Sequence, residues 1–196
     1  MLDYQQTFID NLQSSEVRIE GLTHDVAKGI KEVTDLLLLA RERKKQVFIV
    51  GNGASAAISS HTATDFIKTL GIRAVHISDN SLLTCMGNDY GYENVYAAPL
   101  RVLAQPGDIL MAISSSGKSA NILSAAEEAG ALGCTVITFS GFAPDNPLSA
   151  MGVYNFFVPS QRYGFVETIH AYMLHWITDS VQEMILHDVE AAHQIG

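Results

Sequence analysis

The stretch Val47–His61, VFIVGNGASAAISSH, decides the fold, and Ile109–Leu123, ILMAISSSGKSANIL, repeats its plan. In each, an apolar run passes through glycine and serine straight into a helical period. A buried strand, a small-residue turn and a helix in that order form the half-unit of a parallel sheet with helical crossovers. Five such runs are present: Gln46–Val50, Ala74–Ile77, Asp108–Ile113, Thr135–Phe139 and Val153–Val158. They predict a five-stranded parallel sheet flanked by helices, a three-layer α/β sandwich.

Outside this core, residues 3 to about 45 read as two helices. Phe8, Leu12 and Val17, then Val26, Ile30, Val33 and Leu37, recur at helical spacing with charge between them. The basic tail Arg41–Lys45 suits a helix C-terminus, where cations meet the negative end of the dipole. A long helix of about Gly164 to Ala192 follows the last strand. The expected organisation is a single domain over 1–196, with N-terminal helices to 45, an α/β core over 46–160 and the C-terminal helix over 164–192. At 196 residues, one compact domain is the expectation.

Composition narrows the functional classes. With 47% hydrophobic and 17% charged residues the chain can build a core and does not resemble a disordered segment. Its net charge of −9 repels a phosphate backbone, which disfavours nucleic acid as a partner. No apolar run approaches the ~18 residues of a membrane span, and no secretion signal opens the chain. Cys85 and Cys134 fit no metal-ligand spacing, lie among apolar neighbours and are too few for a disulfide framework. A reducing cytoplasm is expected.

The two strand-to-helix junctions carry the first chemical signal. Free backbone N–H groups at a helix start favour an anion, and Ser55, Ser114, Ser115, Ser116 and Ser119 add hydroxyl donors without bulk. Serine at a helix N-cap has a purely structural use, so one such loop decides nothing. Two loops at strand C-termini point to a phosphorylated small molecule, because open α/β sheets bind ligands at that edge. Ser116–Ser119, SGKS, also matches the tail of a nucleotide-binding P-loop. That motif needs glycine where the chain has Ala112, so nucleotide hydrolysis is disfavoured.

A second signal is titratable. His61 and Asp65 stand four apart on the helix after the first loop and share a face, able to share a proton or a metal. The C-terminal helix carries Glu167, His170 and His175 among Val166, Ile169, Met173, Leu174 and Trp176. Charged groups on an apolar helix need partners, so at least one of them faces a polar site. Glu167 and His175 are separated by about 12 Å along a continuous helix. Either Glu167 sits at a loose helix start, or the site is built across a subunit boundary.

These motifs together resemble the sugar isomerase (SIS) fold and, within it, the phosphoheptose isomerase family. The resemblance rests on GNGAS at Gly51–Ser55, His61, SDN at Ser78–Asn80, GNDYGYEN at Gly87–Asn94, ISSSGKSAN at Ile113–Asn121 and ETIHAYMLH at Glu167–His175. It implies isomerisation of sedoheptulose 7-phosphate to a glycero-manno-heptose 7-phosphate by a homotetramer with active sites between subunits and one zinc per subunit. By position, Ser55, Ser114, Ser115, Ser116 and Ser119 would hold the phosphate. Asn52, Gly53, Ala54, Asn88, Asp89 and Glu167 would contact the substrate, and His61, Asp65, Glu167 and His175 would hold the zinc. Asp65 would be the base and His175 the acid, working through an enediol.

The resemblance has departures. Asp65 stands where the family has Glu, Glu167 where it has Gln, Ala54 where a glycine is usual and Thr69 where an arginine is common. The first two would be compensatory, raising the anionic ligand count from one to two. Two alternatives remain open at this stage. One is a non-catalytic binding protein similar to the DnaA initiator-associating proteins, and the other is an isomerase of a different ketose phosphate. A sugar-phosphate-sensing regulator is disfavoured, since no helix-turn-helix segment is attached.

Overall fold

The computed structural model describes residues 3–195. Residues 1, 2 and 196 of the expected 1–196 span lie outside them. One seven-stranded sheet runs in the order β2-β1-β7-β6-β5-β3-β4. Its strands are β1 (Glu16–Ile19), β2 (Leu22–Asp25), β3 (Gln46–Gly51), β4 (Arg73–His76), β5 (Ile109–Ser114), β6 (Thr135–Gly141) and β7 (Tyr154–Val158). The helices are α1 (Tyr4–Gln13), α2 (Val26–Glu42), α3 (Ala54–Lys68), α4 (Asn80–Tyr90), α5 (Ala97–Leu103), α6 (Ala120–Ala131) and α7 (Tyr163–Ile195).

All five anticipated strands are present and parallel, within a residue or two of their expected limits. The sheet is nevertheless larger than anticipated, because residues 16–25 form a hairpin where helix was expected. β1 pairs antiparallel with β2 and with β7, placing Val17 opposite Phe156. The two-residue turn decides the matter: Glu20 and Gly21 both adopt positive φ, 49° and 83°, the pattern that folds a tight hairpin. Val17, Ile19 and Thr23 are β-branched, and each strand is only four residues long, too short for its alternation to outweigh the helical spacing around it.

Apolar side chains alternate across the sheet and build two cores. On β3, Val47 and Ile49 point into a core shared with α2, α3 and α7, while Phe48 and Val50 point into one shared with α5 and α6. Three layers result. The helices start where the sequence supplies caps: the Asp3 carboxylate accepts from Gln6 N at 3.1 Å and that of Asp25 from Lys28 N at 2.8 Å. In the basic tail that closes α2, Arg41 donates to Leu70 O and Lys45 to Pro106 O, each at 2.7 Å.

This topology places the site. From β3 the chain crosses through α3 outward to β4, whereas from β5 it crosses through α6 the other way to β6. The loops after β3 and β5 therefore diverge, and a crevice opens between them at the carboxyl ends of the strands.

Candidate active site

The crevice is a cleft of about 240 Å³ lined by the loop Asn52–Ser55, by Ile113–Ser116, and by Ser119, Tyr163 and Glu167. All five serines of the anion reading converge there, together with Asn52, Gly53, Ala54 and Glu167. No lysine or arginine lines it, so an anion would be held by hydroxyls and backbone N–H groups. Three details mark the two loops. Ser119 is the N-cap of α6 but its side chain makes no capping bond; its hydroxyl meets that of Ser114 at 3.2 Å. The Ser115 hydroxyl is buried without any hydrogen-bond partner, a costly arrangement unless a ligand completes it. Gly53 begins α3 at φ 56°, a left-handed turn that a side chain would strain.

The second loop turns at Gly117. Its φ is 62°, and a Cβ there would stand 1.8 Å from Asn146 Oδ1. Asn146 is itself buried and donates to the carbonyl oxygens of Gly141 and Ala143. The glycine of SGKS is thus required by the local fold.

His61, Asp65 and His175 come together as a triad beside the helices α3 and α7. His61 Nε2 lies 3.3 Å from Asp65 Oδ2, His175 Nδ1 lies 3.9 Å from it, and the two imidazoles meet edge to face at 5.4 Å. One ligand atom from each of the three falls within 4.8 Å of the others. Two imidazoles and a carboxylate are the donor set of an open zinc site, with a fourth position left for water or substrate. The residues fit the metal. Both histidines are more than half exposed, so the triad sits at the surface of the chain rather than in its core.

Glu167 does not join them. Because α7 is continuous from Tyr163, Glu167 lies in its second turn and the loose helix start is ruled out. It lines the serine cleft, about 12 Å along the axis from His175. Burial beside the loops pushes its carboxyl above the usual carboxylate range.

Asn88 and Asp89 are likewise not in the cleft. They lie at the exposed end of α4, where Asn88 donates to Asp89 Oδ1 at 2.8 Å. Cys85 is exposed there too, its sulfur 3.5 Å from Asp89 Oδ2, so its surroundings are polar rather than apolar. His170 is a core residue. It is fully buried, its Nε2 donates to Ser140 O at 3.1 Å, and burial lowers its pKa to about 4.

Two cleft features had no counterpart in the sequence reading. Tyr163 lines the mouth and packs edge to face on Phe142, ring centroids 4.9 Å apart. Asn52 is gripped by Asn121 and by Tyr92, from two distant segments. Asn121 and Tyr92 fall inside the motifs quoted for the family resemblance but were given no role there, and Tyr163 lies in none of them.

Comparison with known proteins agrees with this geometry. A SIS-domain family model matches residues 10–141. Phosphoheptose isomerases of Helicobacter hepaticus and Aquifex aeolicus are 31% and 30% identical, over 90% and 88% of this chain and 93% of each of theirs. The solved structure of phosphoheptose isomerase from Neisseria gonorrhoeae superposes with a TM-score of 0.80 at 28% identity, covering 91% of this chain and 95% of that one. Fold, serine-lined cleft and relatives agree, and the chain belongs to the SIS-domain family, in its phosphoheptose isomerase branch.

Proposed function

We propose that this chain interconverts sedoheptulose 7-phosphate and D-glycero-D-manno-heptose 7-phosphate, acting as a single domain in the cytoplasm. The observation that carries the reading is the pairing, along the same two helices α3 and α7, of a cation-free serine cleft with an acid-base triad. That the relatives are phosphoheptose isomerases supports a heptose phosphate as substrate. The unpaired thiols of Cys85 and Cys134 suit a reducing compartment. Among the described residues no helix is long and apolar enough to cross a membrane.

In this reading the phosphate rests on Ser55, Ser114, Ser115, Ser116 and Ser119, and Asn52, Gly53, Ala54 and Glu167 contact the sugar. Asp65 takes a proton from C1 of the ketose while His175 gives one to the C2 oxygen, leaving the enediol. Returning a proton to C2 and removing one from the C1 hydroxyl completes the aldose. His61, Asp65 and His175 would hold one zinc per subunit, and polarisation of the carbonyl oxygen is the chemistry that ion supplies. A fourth ligand from Glu167 would require a neighbouring copy, given its distance along α7. A homotetramer with active sites at its boundaries fits the exposed triad and the exposed Tyr172, Trp176 and Met184 of α7. Asn88 and Asp89 have no part in the site within one chain.

The direct test incubates the folded, zinc-loaded protein with sedoheptulose 7-phosphate and follows the aldose phosphate by NMR. Appearance of the heptose phosphate supports the assignment. No turnover with any five- to seven-carbon ketose phosphate would overturn it in favour of a binding protein without catalysis.

A further inference from the structure

Asn121 lies in the first turn of α6 and is 2% exposed, buried behind the cleft rather than lining it. Its amide is paired with that of Asn52, which does line the cleft, through two hydrogen bonds. Asn52 Nδ2 donates to Asn121 Oδ1 and Asn121 Nδ2 donates to Asn52 Oδ1, each at 2.8 Å. The hydroxyl of Tyr92, on the short 3₁₀ helix Tyr92–Asn94, donates to the same Asn52 Oδ1 at 3.3 Å. The neighbouring peptide is held as well, Tyr96 donating its hydroxyl to Gly51 O at 2.6 Å.

An amide oxygen accepts two hydrogen bonds and an amide nitrogen donates two. Asn52 Oδ1 is fully engaged by Asn121 and Tyr92, and one Nδ2 hydrogen is engaged by Asn121. Turning both amides over together would keep their two mutual hydrogen bonds, so what the pair fixes is the plane and position of the Asn52 amide at the cleft.

We propose that Asn121 is a positioning residue, which holds the plane of the Asn52 amide at the cleft so that it meets the sugar phosphate without reorganising. Freed of its partner, Asn52 could rotate among other conformers, and ordering it again on binding would cost affinity. The pair also joins the loop after β3 to the loop after β5, so the two halves of the anion site are held in one geometry before the ligand arrives. This role rests on the isomerase reading for its substrate, but the amide geometry does not depend on turnover.

The test is a double-mutant cycle of Asn52→Ala, Asn121→Ala and the double variant. Two quantities are read: binding of a non-reacting seven-carbon alditol 7-phosphate by calorimetry, and KM against kcat for sedoheptulose 7-phosphate. Asn121→Ala is expected to weaken binding and raise KM about tenfold in the wild-type background. In the Asn52→Ala background it should do nothing further. Equal losses in both backgrounds, or none in the first, would overturn the proposal.

Tyr92→Phe removes one hydroxyl from an exposed side chain and serves if Asn121→Ala does not fold. It should weaken binding about threefold with Asn52 present and not at all without it; the same loss in both backgrounds would tell against the proposal. If the wild-type protein binds the alditol phosphate yet never turns the ketose over, the isomerase reading falls. The cycle, run on binding alone, then still decides for or against Asn121.

Discussion

At the scale of single residues, the triad and the loop glycine make separable claims. Asp65→Asn keeps the shape of the side chain but removes the base and an anionic ligand. It should cut turnover at least about 100-fold and weaken zinc binding, with little change in melting temperature, since Asp65 is not in the core. Steady-state kinetics and a zinc titration check this. Gly117→Ala should instead unfold the protein more easily, by about 2 kcal/mol or more in urea denaturation, because φ 62° and the contact with Asn146 both oppose a Cβ. His61 and Asp65 were legible as a pair because four residues along a helix define a face. The third member, His175, was legible as a titratable group on an apolar helix, but not as the one of its three that meets the pair, since nothing in local spacing brings α7 to α3. Asn121 and Tyr92 were not legible as partners of Asn52: contacts 69 and 40 residues apart leave no periodic trace.

At the scale of elements, five strands and the long last helix could be read from apolar runs and small-residue turns, because buried parallel strands are apolar on both faces. The hairpin at residues 16–25 could not, since its stability comes from pairing with β7 and from the positive φ of Glu20 and Gly21. The last helix also carries a pH dependence. His170 is held neutral in the fold, with a pKa lowered to about 4, while the unfolded chain takes up its proton near 6.5. The unfolded state therefore binds more protons between those values. The contribution of His170 is fully present above about pH 6.5, falls by about 3 kcal/mol as pH drops to about 4, and is level below that. His170→Met should flatten this part of the stability curve, measured by chemical denaturation across the range, whatever it does to stability at pH 7. An unchanged slope would mean that other groups dominate acid unfolding.

For the whole molecule, the cleft and the triad are about 12 Å apart along α7, and the triad and several large apolar side chains of that helix face outward. Self-association is expected to complete the site. Sedimentation at micromolar concentration should give four chain masses, and Trp176→Glu, which puts charge on the exposed face, should yield smaller species with turnover lost in parallel. Active monomers would contradict a site shared between copies. The acidity read from composition takes its place here too: the chain carries a net charge of −9 and no lysine or arginine lines the serine cleft, so the phosphate of the proposed substrate would be held by hydroxyls and backbone N–H groups. The central claim, that Asp65 moves a carbon-bound proton of a sugar phosphate, is tested most directly by running the reaction on sedoheptulose 7-phosphate in D₂O. Deuterium at C2 of the aldose phosphate is then read by NMR, for the wild-type protein and for Asp65→Asn. The expected result is deuterium at C2 with the wild-type protein and no labelled product with the variant. Aldose formed without deuterium, or labelled equally by Asp65→Asn, would contradict it.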